Sequence, residues 1–103
     1  MTKLELNDKL AELCFIPKAT EIGFDNGLRQ ELLLIDDWSR LMDLAVDNEI
    51  MIRVNISENI VSARNIRWLI QDSCWTEITG HESPQAATRL SIAMALVKLK
   101  EDK

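Results

Sequence analysis

Gly80-His81-Glu82-Ser83-Pro84-Gln85-Ala86-Ala87-Thr88-Arg89-Leu90-Ser91-Ile92-Ala93-Met94-Ala95-Leu96-Val97-Lys98-Leu99-Lys100 is a helix with both ends marked. Ser83 is a good N-cap, because its hydroxyl can accept a bond from an orphan N–H of the first turn. Pro84 follows at the first helical position, where a missing N–H costs nothing. Glu82 lies beside the positive end of the helix dipole, and Lys98 and Lys100 lie near the negative end. Ala86, Leu90, Ala93 and Val97 recur at spacings of four, three and four. With Met94 adjoining, they form one apolar stripe. Its small residues allow close approach to whatever it covers. The spacing predicts a terminal helix over about 84–100.

Working back from that helix, Cys74 to Thr79 alternates as a short strand. Cys74, Thr76 and Ile78 share one face, and Trp75 and Glu77 share the other. Asp72-Ser73 before it is a turn signal. Asn65 to Gln71 alternates Ile66, Trp68 and Ile70 against Arg67, Leu69 and Gln71, and Ile60 to Ala63 precedes it. Glu49 to Ser57 is the clearest strand, with Ile50, Ile52, Val54 and Ile56 on one side and Met51, Arg53, Asn55 and Ser57 on the other. Glu58-Asn59 is a turn. Short strands joined by short turns imply antiparallel pairing.

Two further helices are expected upstream. Asp36 and Asp37 supply an N-cap and first-turn charge for a helix from about Asp37 to Asp47, with Asn48 as a left-handed cap. Thr2 and Glu5 form a capping box for a helix from about Lys3 to Ile16. Leu6, Leu10 and Leu13 are its stripe, and Pro17 is its stop. Between these helices, Asp25-Asn26-Gly27 signals a turn. The segment from Thr20 to Leu34 suits a hairpin or a loop leading into one strand, and its leucine run also suits a helix. The expected fold is α+β: one domain, 1–103, with helices packed on a small antiparallel sheet of about three to four strands, sandwich-like.

Composition limits the function. At 103 residues the chain can bury roughly 60–70% of its unfolded surface, enough for one small core. No apolar run approaches the ~18 residues of a membrane span. No secretory signal core follows Lys3, so the expected location is the cytoplasm of the cell that makes the protein. Two cysteines, Cys14 and Cys74, can pair in principle, but a reducing compartment favours buried thiols. A net charge of −5 argues against direct nucleic-acid binding, which wants a basic face. It suits either solubility or docking on a basic protein surface.

Chemistry-bearing motifs are sparse. His81, the one histidine, can pair with Glu82 or Glu77, although a loop histidine before a helix cap is commonly just solvated. Two cysteines and one histidine at these spacings do not make a zinc site. Asp36-Asp37 is better explained as a cap than as a cation site. No phosphate-cradling glycine loop or nucleophile elbow is present. No catalytic residue, metal or cofactor is expected. Trp38 and Trp68 are expected in the core. Trp75 points away from Cys74, Thr76 and Ile78. If that face is open, Trp75 is an interface anchor, extended by Phe24, Met51 and Leu69. Otherwise a helix covers it.

Asp36-Asp37-Trp38 opening a helix that contains Leu41, Trp68 in a sheet segment, and Gly80, Ser83-Pro84, Ala86-Ala87 and Arg89 opening a terminal helix form a combined pattern. It resembles the small phage and prophage proteins described as having an ABA-sandwich domain, a family largely of unknown function. The resemblance covers about Asp36 to Lys100. It implies a helix–sheet–helix sandwich and a phage or prophage origin, and it carries no catalytic residues. The resulting expectation is a non-enzymatic accessory protein that binds another protein. It would act as an inhibitor of a host defence system, in the manner of anti-CRISPR proteins, by occluding a basic nucleic-acid-binding surface. The expected contacts are Glu21, Asp25, Glu31, Asp36, Asp37 and Trp75. The alternatives are a self-assembling homodimer joined through an open sheet face, and a small-molecule or minor enzymatic site at His81 and Glu82.

Overall fold

The computed structural model describes residues 1–102, apart from the side chain of Asp25. Helix α1 (Lys3–Cys14) starts as its capping box dictates: Thr2 Oγ1 accepts the Glu5 N–H at 3.2 Å, and Glu5 Oε1 accepts the Thr2 N–H at 3.3 Å. It stops before Ile16, because Phe15 takes a left-handed cap conformation, φ 56°. Strands β1 (Ala19–Asp25) and β2 (Leu28–Leu33) form an antiparallel hairpin. The hairpin alternative is therefore the one the Asp25–Gly27 signal specifies. Asn26 and Gly27 both have positive φ, 52° and 80°. A two-residue turn of matching twist requires that. The leucine run splits: its first part ends β2, and Leu34–Asp36 coils into a 3-10 turn.

Helix α2 (Trp38–Asp47) is capped by Asp37, whose carboxylate accepts the Arg40 N–H at 3.2 Å. Asn48 keeps a negative φ and donates its amide to the Leu44 carbonyl at 2.8 Å, so Glu49 takes the left-handed position instead. Strands β3 (Ile50–Asn55), β4 (Ile60–Asn65) and β5 (Cys74–Glu77) form the expected meander, in the order β3-β4-β5. The hairpin stands apart from it as a second, two-stranded sheet. The segment Asn65–Gln71 is not a strand beyond its first residue. Asn65 ends β4 because its side chain is committed to turning the chain. Its Oδ1 accepts the Arg67 N–H at 3.0 Å, its Nδ2 donates to the Asn48 carbonyl at 2.9 Å, and its own carbonyl accepts the Trp68 N–H at 2.9 Å. A second 3-10 turn, Ile70–Asp72, follows.

Helix α3 (Pro84–Glu101) is capped by Ser83, which accepts the Ala86 N–H at 3.1 Å. It packs on β3, β4 and β5, and also on α1, α2 and the Leu34–Asp36 turn. Consequently it is buried nearly all round. Ala87, Ser91, Ile92, Ala95 and Leu96 are fully covered, and the predicted line through Leu90 and Met94 is only half-covered. A single stripe underestimates a helix that serves two layers. The Ser91 hydroxyl lies 2.7 Å from Thr76 Oγ1 and 3.3 Å from the Val61 carbonyl, so the helix is keyed to the sheet by a satisfied polar contact.

Asn7 is the other buried polar key. It is fully covered, donates Nδ2–H to the Lys18 carbonyl at 2.9 Å, and accepts the Ile35 N–H on Oδ1 at 2.8 Å. One side chain thus fixes α1 to the start of the hairpin and to the 3-10 turn at its end. Replacing Asn7 by Ala strands a buried N–H and a carbonyl. We expect a loss of about 1–3 kcal/mol, read as a lower urea midpoint at unchanged slope. An unchanged midpoint would show that water replaces the amide at no cost.

The Glu5 carboxyl is held below its ordinary value of 4.5, first by its side-chain bond from Thr2 and then by the Thr2 backbone. A lowered folded pKa means stabilisation present above the unfolded value and lost as pH falls through the folded one. The cap at Thr2 should therefore be intact at neutral pH and loosen only below pH 4.5. The Glu5 and Thr2 amide resonances should titrate together across that acid window.

Candidate functional site

The residues expected to contact a partner do not converge. Glu21 and Glu31 face each other across the hairpin. Arg29 bridges them, with Nε 3.0 Å from Glu21 Oε2 and Nη2 3.2 Å from Glu31 Oε1. Asp36 Oδ1 is 2.7 Å from Lys3 Nζ. Asp37 caps α2 and holds Arg40 Nε at 3.0 Å, while Arg40 Nη1 reaches the Pro17 carbonyl at 3.0 Å. These four acids are engaged inside the chain, and Asp37 is a structural residue. The side chain of Asp25, the fifth acid, lies outside the described residues.

Trp75 stands elsewhere, 60% exposed on the outer face of β5. In register it flanks Ser62 of β4, with Arg53 of β3 beyond. Met51 and Arg64 form the next row, and Met51 and Glu77 are exposed as well. The outer face of the sheet is thus open, and its charge is mainly basic, from Arg53 and Arg64. Arg64 is partly engaged, donating to the Trp68 carbonyl at 2.8 Å.

The other two tryptophans differ from each other. Trp68 packs against the core as expected, under Lys98, whose Nζ is 4.9 Å from the ring centroid. Trp38 does not fill the core. It is 42% exposed and lines a groove with Met42, Ile52, Val54 and Pro84. It shares the face of α2 that carries Leu41 and Ala45, but as the first residue of the helix it sits at the edge of that face, where the core ends.

His81 and Glu82 do share a cavity, of about 230 Å³, with Lys3, Asp36 and Arg89. Glu77 is not part of it. Sequence spacing could not bring Lys3 and Asp36 there, since the two ends of the chain meet only through packing of α1 on α3. The two cations and two carboxylates balance, and the Lys3–Asp36 pair already occupies one of each. No side-chain hydrogen bond to the His81 ring is present among the described residues, so nothing orients the imidazole for proton transfer.

Cys14 and Cys74 are free thiols, half-buried. Burial is the main influence on each and pushes both pKa values up, against smaller opposing effects of Lys100 and Lys98. Raised thiols are poor nucleophiles at neutral pH. Among the described residues, no group of His, Cys, Asp and Glu side chains is placed to hold a metal ion, and no helix is long and apolar enough to cross a membrane.

What sequence reasoning passed over is the uncompensated acidic surface on two helices. Asp8 and Glu12 on α1, and Asp43 and Asp47 on α2, are exposed at a spacing of four. None of them makes an ion pair among the described residues. The i, i+4 spacing is readable in the sequence, but spacing does not tell whether a cation from elsewhere in the fold answers the charges. Comparison with protein-family models, curated proteins and solved structures finds no match.

Removing Trp75 with Ala should change stability by no more than about 0.5 kcal/mol, as for a surface site. Replacing Asp37 with Ala should cost about 1 kcal/mol through the lost cap. Chemical denaturation of the two variants checks both values, and the reverse order would mean the outer face is covered in solution.

Proposed function

We propose that this chain is a small accessory protein, of the phage or prophage kind its sequence resembles, that works by binding rather than catalysis. Its target is a host protein with a basic nucleic-acid-binding surface. Occluding that surface would inhibit a host defence system. The observation that carries the reading is the pair of acidic stripes, Asp8 with Glu12 and Asp43 with Asp47. Like charges four apart on a helix cost roughly 0.2–0.5 kcal/mol per pair. These charges therefore do not serve the helices that carry them, whereas a basic partner would offset that cost on binding. The net charge of −5 acts in the same direction by steering association.

The contact thereby moves away from Asp36 and Asp37, which are engaged within the chain, and onto the exposed faces of α1 and α2. It is also separate from Trp75, whose surroundings are basic. The test is capture of targets from bacterial lysates holding defence complexes, at low and high salt, with identification by mass spectrometry. We expect stoichiometric capture of a basic nucleic-acid-binding protein that weakens steeply with salt. Asp43→Lys with Asp47→Lys should abolish it while circular dichroism stays unchanged. Capture indifferent both to salt and to the reversals on α1 and α2 would remove the acidic stripes from the mechanism.

A further inference from the structure

The β1–β2 hairpin is an arm without support. Its strands contact each other and only slightly anything else. The molecule accordingly extends 48 Å along its long axis, with a radius of gyration of 14.1 Å. A compact chain of this size has a radius of gyration of about 13 Å. Phe24 and Leu28 on the arm are 69% and 72% exposed, and Ile22 is exposed as well. A lone two-stranded hairpin is marginal in water, and a third or fourth strand is what stabilises it.

The open edge of β2 specifies what that strand is. The Leu34 N–H donates to the Lys18 carbonyl at 2.9 Å. By antiparallel alternation the even-numbered residues of β2 bond to β1, and Arg29 and Glu31 turn their N–H and C=O groups outward. Arg29 and Glu31 flank Gln30 symmetrically. Within its own chain Arg29 bridges Glu21 and Glu31, but all three are exposed, so solvent screens that link and a second copy can exchange it. If a second β2 pairs antiparallel with Gln30 opposite Gln30, Arg29 faces the second copy's Glu31, and by the two-fold Glu31 faces the second copy's Arg29. In the same register Leu28 faces Leu32 twice on the opposite side of the ribbon. Shifting the centre by one residue sets Arg29 against Arg29 or Glu31 against Glu31. Like charges directly opposite disfavour both shifts. The strand thus reads as self-complementary in a single register.

We infer that two copies of this chain associate through their arms, β2 against β2 antiparallel about Gln30, giving a continuous four-stranded sheet in a two-fold dimer. Such an isologous contact uses one patch twice and closes on itself. The β2 edge carries no proline, lysine or bulge to deter pairing. The β1 edge, by contrast, is interrupted by a register shift between Glu21 and Gly23. The β3 edge of the other sheet lacks the charge symmetry of β2. Antiparallel pairing of β3 about Ile52 sets Met51 against Arg53 and brings no opposite charges together.

The test uses the full chain and its mass in solution by sedimentation equilibrium. The unmodified protein should be a concentration-dependent dimer. Arg29→Glu gives two acids and Glu31→Arg gives two bases at the pairing positions, so each variant alone should dimerise roughly tenfold or more weakly. Mixed one to one, the two variants should form a heterodimer, because every facing pair is then opposite in charge. The mixture excludes a merely intrachain effect on the arm, and it remains informative even if each variant's hairpin is loosened alone. A monomer at millimolar concentration overturns the inference. So does a dimer whose mass ignores both reversals, a mixture that stays monomeric, or a dimer lost on Trp75→Ala alone, which would place the interface on the outer sheet face.

Discussion

Everything in this fold depends on how closely α3 can approach its neighbours on two sides at once. The helix has the sheet against one side and α1 and α2 against others, so its buried residues must be small where backbones come near. Ala87, Ser91 and Ala95 meet that need, and Val61 and Ala63 of β4 are buried beneath the helix. Ile92 and Leu96 then supply the volume. A larger side chain at Ser91 would push the helix off the sheet and strand Thr76, whose hydroxyl lies within hydrogen-bonding reach of Ser91. Overpacking of that kind costs about 1–3 kcal/mol. Helix α1 packs chiefly on α3, and α2 packs on α3, β3 and the Leu34–Asp36 turn, so a shift of α3 reaches both. The position of the acidic stripes is therefore a consequence of the same packing.

Several acids in this chain serve its own structure. Asp37 is fixed by its cap and by Arg40, and Arg40 in turn holds the carbonyl of Pro17. The start of α2 is thereby tied to the exit of α1. Asn7 ties α1 to both ends of the hairpin segment from the other direction. The hairpin is thus anchored firmly at its base and left free along its length. A surface pair such as Lys3–Asp36 adds little energy by comparison, because solvent screens it. Net charge alone therefore does not tell which carboxylates are left free. What matters is which carboxylates lack an internal cation.

Much of the architecture was legible because local signals agreed with the tertiary structure. Thr2 with Glu5, Ser83 with Pro84, and Asp37 are caps whose chemistry acts within one turn, so spacing suffices to read them. Asn26-Gly27 and the alternation from Ile50 to Asn55 are equally local. Where spacing misleads, the cause is non-local. Ile66, Trp68 and Ile70 alternate like a strand, yet the amide of Asn65 finds the Asn48 carbonyl across 17 positions of chain and turns the backbone first. Trp38 has helical spacing to Leu41 and Met42, but its place at the first turn leaves it at the rim of a groove. Asn7 was invisible as a clamp because both its partners are backbone groups that only the fold brings near. Among the expected contact residues, the exposure of Trp75 turned on whether a helix covers the sheet's outer face, which alternation cannot decide. Nor can it show that Glu21 and Glu31 share Arg29.

The same distinction between local and non-local cause bears on the arm. A hairpin turn of the Asn-Gly type forms from nearby residues and needs nothing else to set its register. Persistence is another matter, since two strands with no covering layer offset little of the entropy their ordering costs. Here the Glu21–Arg29–Glu31 bridge on one face is exposed and therefore weak. The opposite face presents Leu28 to solvent. A chain that needed the arm only as a connection between Lys18 and Leu34 could make it with far fewer residues, because those two ends are already joined by a backbone hydrogen bond. Beyond Leu33, which packs on the core, the outer part of the arm from Ile22 to Leu28 leaves its apolar side chains largely in solvent. Its edge chemistry, with opposite charges set symmetrically about Gln30, is what a strand needs in order to meet its own copy.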